Sequence, residues 1–208
     1  MTVRGFTGES RATFYLVASM TGLRASELAS LTSESFKRDA ATPVVVVEAG
    51  YSKRRRQDTV PLHAGLVEQL RSWLAGFDAG APLWPGRWAA NHCAGELVKR
   101  DVANARAAWV AAGKGTAGKA TREAADDFKP RHREGRHLDF HGLRHSFISA
   151  LVRAGVTPAV AMKLARHSTI TLTIDRYTHV SAQDAAAGID RLPPPPSRKP
   201  PEGTRPRR

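Results

Sequence analysis

Cysteine is almost missing from this chain, with Cys93 alone among 208 residues. A single thiol excludes an internal disulfide framework and a multi-cysteine metal site. Long apolar runs are missing as well. No stretch approaches the roughly 20 residues that a membrane-spanning helix needs, and the N-terminus has no signal-peptide apolar segment. An intracellular protein with no membrane partner is therefore expected. Two further absences narrow the chemistry. There is no complete Gly-x-x-x-x-Gly-Lys-Ser/Thr phosphate loop and no acidic triad of the two-metal nuclease kind, so no metal and no cofactor is expected.

Acidic residues are scarce relative to basic ones. The 19 Asp and Glu face 32 Lys and Arg, for a net charge of +13. The segment 193–208 carries five basic residues and one acid, so the remainder keeps +9 and is basic in its own right. Such a surplus suits a polyanion, because cations that neutralise phosphates release condensed counterions. A basic surface without a nucleic-acid role gives the same composition, so charge alone does not choose between them.

Hydrophobic spacing predicts a mainly α fold with a small antiparallel β-sheet, an α+β class. Phe14, Leu16, Val17 and Met20 place a helix over Ser10 to Met20, closed at Thr21-Gly22. A second short helix is predicted from Ser26, read as its N-cap, to Leu31, which puts Arg24 in the sharp connection between the two. Val44 to Val47 and Thr59 to Leu62 read as short strands, with Phe36-Lys37 a candidate third. The turn between the first two carries Lys53, Arg54, Arg55 and Arg56. Helices are predicted over His63 to Phe77 and Trp88 to Ala112, and a hairpin turn at Arg133 to Arg136. Residues 111–127, rich in Gly, Ala, Lys and Thr without a hydrophobic period, are expected to be a mobile surface insertion. Leu143, Phe147, Ile148 and Leu151 make a further helical stripe ended by Gly155, and Thr157-Pro158 opens another helix. Short helical turns are expected over Thr169 to Arg176 and Ser181 to Ile189. Four prolines from Pro193 end the pattern, and 193–208 reads as a disordered Pro/Arg-rich tail.

Three stretches hold the chemistry: Thr21-Gly22-Leu23-Arg24-Ala25-Ser26-Glu27-Leu28, then His141-Gly142-Leu143-Arg144-His145, then Arg166-His167-Ser168 leading to Tyr177-Thr178-His179. Each alone has an ordinary explanation. Arg24 could be a surface residue, His141 and Arg144 exposed groups at a helix start, and Tyr177 an amphipathic ring with a wet hydroxyl. Their order and spacing together resemble the tyrosine recombinase (phage integrase) family, whose signature runs Arg, Lys, His-x-x-Arg, His or Trp, Tyr. Here the positions are Arg24, Lys53, His141, Arg144, His167 and Tyr177. The likeness spans roughly Ser10 to Ser181 and is weakest over Gly76 to Lys129.

The resemblance implies that Tyr177 attacks a DNA phosphodiester to form a 3′-phosphotyrosine link, which a 5′-hydroxyl later reverses. Attack on phosphorus concentrates negative charge on the non-bridging oxygens, and the planar, permanently charged fork of arginine suits that charge. Arg24 and Arg144 would clamp the phosphate. By the same resemblance His141 accepts the tyrosine proton, His167 donates a hydrogen bond to the phosphate, and Lys53 protonates the leaving hydroxyl. Glu27 would orient the pocket. Arg54, Arg55 and Arg56, poor acids, are read as contacts to the DNA backbone, and His145 as structural because it follows Arg144 directly.

Double-stranded DNA is thus the expected partner, with a homotetramer on the recombination synapse, a monomer alone, and a cytoplasmic, nucleoid-associated location. Residues 1–192 would form the catalytic domain. Full-length family members also carry an N-terminal helical core-binding domain, which this chain, starting so close to Arg24, is expected to lack. Two other readings stay open, a catalytically inactive DNA-binding module and a type IB topoisomerase-like nicking-resealing enzyme.

Overall fold

A computed structural model of the chain describes residues 5–51, 55–89, 93–129 and 139–167. Its first helix, α1 (Gly8–Thr21), starts where the Thr7 side chain accepts the Ser10 N–H at 3.1 Å, and it ends at Gly22, with φ 62°. The short α2 (Ala25–Ala29) follows at once. A single 3-10 turn over Ser33–Ser35 leads into β1 (Phe36–Lys37), β2 (Val44–Val47) and β3 (Asp58–Pro61), an antiparallel sheet in the order β1-β2-β3. Val45 lies opposite both Phe36 and Val60, all three buried, so one face of the sheet joins the core. The β-branched run and its turn thus form the expected sheet, and Phe36-Lys37 supplies the third strand.

The rest is helical: α3 (Ala64–Leu74), α4 (Ala94–Ala111), α5 (Gly115–Ala124), α6 (Phe140–Arg153) and α7 (Pro158–Ala165). Phe14 of α1 anchors the main core. It stacks on Phe140 at 5.1 Å and meets Trp88 and Trp84 edge-on at 4.9 and 5.4 Å. Each indole N–H finds a carbonyl, Trp84 on Ser10 O (3.0 Å) and Trp88 on Trp84 O (2.9 Å), so neither large ring leaves a buried donor unmet. A second cluster, Phe147, Ile148 and Ala165 with Leu151 and Leu164 beside them, joins α6 to α7.

Asp101 of α4 ties that helix to α1. It accepts Arg11 Nε at 2.8 Å and the Tyr15 hydroxyl at 2.7 Å. Burial, with that bond, pushes the Tyr15 phenol far above its usual range and holds it protonated.

Three expectations need correction. Arg24, not Ser26, is the N-cap of α2, with extended backbone at φ −76° and ψ 161°. The fourth predicted helix begins at Ala94 instead of Trp88, whose ring is drawn into the core ahead of it. Residues 115–124, read as irregular, form α5. Tertiary hydrogen bonds replace the missing hydrophobic period there. Arg122 sits 5.2 Å from the Trp109 ring and donates to Trp109 O, while Arg106 donates to Glu123 O and Ala125 O at the end of α5. A Cβ on Gly113 would come within 2.8 Å of Lys119 N, so the α4–α5 turn closes only around glycine. The hairpin expected at 133–136, the turns expected beyond 168 and the tail lie outside the described residues.

Gly22 has two reasons to be glycine. Its φ is left-handed, and an added Cβ would stand 2.6 Å from Phe147 Cδ1. Gly22→Ala should therefore cost about 2–4 kcal/mol, combining an αL penalty with overpacking. Urea unfolding checks this, and a loss under about 1 kcal/mol would contradict it.

Candidate active site

The site assembles where the ends of α1 and α7 meet the start of α6. Asp139 caps α6 by accepting the Gly142 N–H at 2.7 Å, which fixes the first turn carrying His141 and Arg144. Position 144 faces inward, and its side chain is only 3% exposed. Arg144 Nη1 donates to Gly22 O and Nη2 to Ala165 O. These are carbonyls at the C-terminal ends of α1 and α7, where helical partners run out and the helix dipole is negative. One guanidinium thus satisfies two helix ends, and the two ends explain how a buried cation is held. Burial pushes the Arg144 pKa down to about 10, and repulsion from Arg24 and from Arg166 adds to the shift, with Glu27 opposing it. Arg144 remains charged at neutral pH, with further N–H donors available to an anion.

Arg24 and Glu27 are built as a pair. Glu27 Oε2 accepts the Arg24 backbone N–H at 2.8 Å, a side chain reaching back to the N-cap of α2, and Oε1 accepts Arg24 Nη1 at 3.1 Å. The carboxylate is 1% exposed and the arginine side chain 32%, so the acid forms the floor and the guanidinium faces outward. Arg24 and His141 line one cleft, together with Ser26, Asp139 and Phe140.

Arg166 is a site residue that sequence reasoning missed. It ends α7 in the left-handed region, at φ 52° and ψ 40°, and is 6% exposed. Its Nη2 donates to Glu27 Oε2 at 2.6 Å and to Gly22 O at 3.4 Å. A non-glycine residue in this conformation costs roughly 1–2 kcal/mol. The only sequence signal was a cation directly before His167.

His167 is half-buried. Burial pushes its pKa down to about 4, with the Arg144, Arg24, His145 and His141 charges lowering it further. The imidazole is therefore neutral near pH 7 and offers one N–H donor. Between the ordinary 6.5 and about 4 the unfolded chain binds more protons than the folded one, so stability falls as pH drops through that window. His167→Gln should flatten the dependence of Tm on pH between 6.5 and 4. An unchanged slope would count against the assignment.

His145 stands one turn after His141 on the same helical side, their rings edge-on with centroids 4.8 Å apart. Its charge also acts on His167.

The β2–β3 turn comes close to the same place. Arg56 and Asp58 form one wall of a cleft whose other wall includes Met162, Lys163, Arg166 and His167. Arg56 is an exposed partner of Asp58 at 3.4 Å, and Arg55 is exposed with φ 51°. Lys53, Arg54 and Tyr177 lie outside the described residues. Of the six residues of the expected constellation, the structure brings together Arg24, His141, Arg144 and His167. Beside Arg144 stand two further cations, Arg24 and Arg166, against the acid Glu27, and Arg144, Arg24, His145 and His141 surround His167 closely enough to act on it.

This helical scaffold with its three-stranded sheet has counterparts among known proteins. The chain belongs to the Phage integrase family, whose sequence profile matches residues 7–184. It is similar to the tyrosine recombinase XerC of Xylella fastidiosa strain M23, at 29% identity over 180 residues covering 86% of this chain and 51% of that protein. It thus spans about half the length of the curated relatives it matches. Its fold is similar to that of the Tn1549 transposon integrase in complex with a circular intermediate DNA, with TM-score 0.61 and 18% identity over 88% of this chain and 59% of that one. The XerH site-specific recombinase bound to its palindromic difH substrate is a second likeness, with TM-score 0.55 and 16% identity over 89% of this chain and 47% of that one. Among the described residues no helix is long and apolar enough to cross a membrane.

Proposed function

We propose that this chain supplies the catalytic part of a site-specific DNA recombinase, cleaving and rejoining strands through a 3′-phosphotyrosine on Tyr177. The observation that carries the reading is the gathering of Arg24, His141, Arg144 and His167 where the ends of α1 and α7 meet the start of α6. The substrate is double-stranded DNA, in keeping with the circular intermediate DNA bound by the Tn1549 transposon integrase and the palindromic difH substrate bound by XerH.

In the first step the Tyr177 oxygen forms a bond to phosphorus as its proton passes to His141, and the bond from phosphorus to the 5′-oxygen breaks. The leaving oxygen takes a proton from Lys53. Arg24 and Arg144 hold the non-bridging oxygens, where the added negative charge gathers, and neutral His167 donates its N–H to one of them. The displaced bond energy is kept in the phosphotyrosine, so a second 5′-hydroxyl reverses the sequence and reseals the strand. Arg54, Arg55 and Arg56 contact backbone phosphates on either side. Tyr15 is unsuited to attack because its hydroxyl is committed to Asp101. Four protomers on paired sites would complete an exchange, at the nucleoid.

A duplex nicked just beyond the cleavage site tests the reading, since loss of the short strand traps the covalent step. The chain should form a denaturation-resistant adduct whose phosphopeptide maps to Tyr177. Binding without any adduct over many hours would favour an inactive DNA-binding module. Relaxation of supercoiled DNA without strand exchange between two sites would favour the topoisomerase reading.

A further inference from the structure

We infer that Arg166 is a positioning residue, setting the outward-facing guanidinium of Arg24 through the carboxylate of Glu27. The inference rests on the recombinase reading of the same site. Glu27 is shared. Its Oε1 accepts Arg24 Nη1 at 3.1 Å, while Oε2 accepts both the Arg24 backbone N–H at 2.8 Å and Arg166 Nη2 at 2.6 Å. The contact to Arg166 is the shortest of the three and the most buried, with side chains 5% and 1% exposed. A carboxylate pulled from below by one arginine has less pull left for a second above it. Arg24 is thereby kept half-exposed and turned toward the cleft it lines with His141. Without Arg166, the full charge of Glu27 would draw the Arg24 guanidinium down onto the floor and away from a phosphate.

Two further features fit this role. Arg166 adopts a left-handed backbone that glycine takes without strain, so its place there depends on what the side chain reaches. It also directly precedes His167, whose N–H returns to Met162 O at 3.1 Å, so the turn that sends Arg166 inward to Glu27 also fixes the backbone of His167. One capping turn thus fixes the acid beneath Arg24 and the histidine beside it.

Arg166→Gly is the informative substitution, because it relieves the backbone while removing the side chain. On the nicked duplex, single-turnover cleavage by this variant should fall about 10-fold or more, while Kd for the uncleaved DNA changes less than about 3-fold and the protein, though its melting temperature falls, stays folded at the assay temperature. Arg166→Lys, which keeps a cation within reach of Glu27, should recover most of the rate. Adding Glu27→Gln to Arg166→Gly should cost little beyond Glu27→Gln alone, since both act along one line. Cleavage by Arg166→Gly at the wild-type rate would overturn the inference, as would additive losses in the double variant. Should the wild-type chain form no adduct, the recombinase reading fails, and NMR of the Arg24 guanidinium still decides the positioning. Slower rotation about its Nε–Cζ bond and a shifted resonance in Arg166→Gly support the positioning, and an unchanged signal refutes it.

Discussion

A Tyr177→Phe protein should bind the nicked duplex nearly as well as the wild-type chain and form no covalent adduct with it. The change removes one oxygen and leaves the ring, so affinity should shift by no more than one hydrogen bond, about 0.5–1.5 kcal/mol. Chemistry has no such margin. An unperturbed tyrosine ionises near pH 10, and it becomes a nucleophile near neutrality only where cations favour the phenolate and a base takes the proton. The centre around Arg24 and Arg144 supplies the first condition and His141 the second. Phenylalanine meets neither requirement because it has no oxygen to offer. Gel mobility under denaturing conditions reads the adduct, and fluorescence anisotropy reads the binding. An adduct that survives the substitution would move the nucleophile elsewhere and sink the mechanism.

The second large effect is expected at Arg144. Arg144→Ala should slow cleavage by about 10²–10³, the cost of losing one preorganised donor to a developing anion. It should also lower stability by about 2–5 kcal/mol, because Gly22 O and Ala165 O lose a charged donor and buried acceptors without partners are expensive. Arg144→Lys separates the two effects. A lysine keeps the charge but not the fork, so it can satisfy one helix end and leaves the phosphate with a single point contact. Its melting temperature should lie between those of wild type and Arg144→Ala, with cleavage still far below wild type. Single-turnover rates and thermal melts on the same preparations test both. Cleavage by Arg144→Ala within tenfold of wild type would remove Arg144 from the phosphate clamp.

Much of the site could be read from the chain because its residues sit in local contexts with strong rules. The Gly22 stop and the extended backbone after it fix Arg24 between two helices, and the spacing from His141 to Arg144 belongs to one helical turn. The sheet was equally legible, since a run of four valines beside a basic turn has few other fates. What escaped depended on contacts distant in sequence. Arg166 acquires its meaning from Glu27, 139 positions away, and nothing in its neighbours marks it as buried. α5 is held by arginines reaching to carbonyls of another segment, which leaves no periodic trace. The N-cap of α2 slipped by two residues because arginine is an unusual cap, and the Glu27 side chain does the capping in its place.

The guanidinium of Arg144 joins carbonyls that lie 122 positions before it and 21 after it. No piece of the chain shorter than residues 22–165 holds both contacts. A nascent polypeptide that has made α1 and α6 but not α7 lacks one of the two carbonyls that seat this arginine. Synthesis and folding of nearly the whole described chain therefore precede the first moment at which the arginine is in place, and a stalled or clipped product leaves it unseated.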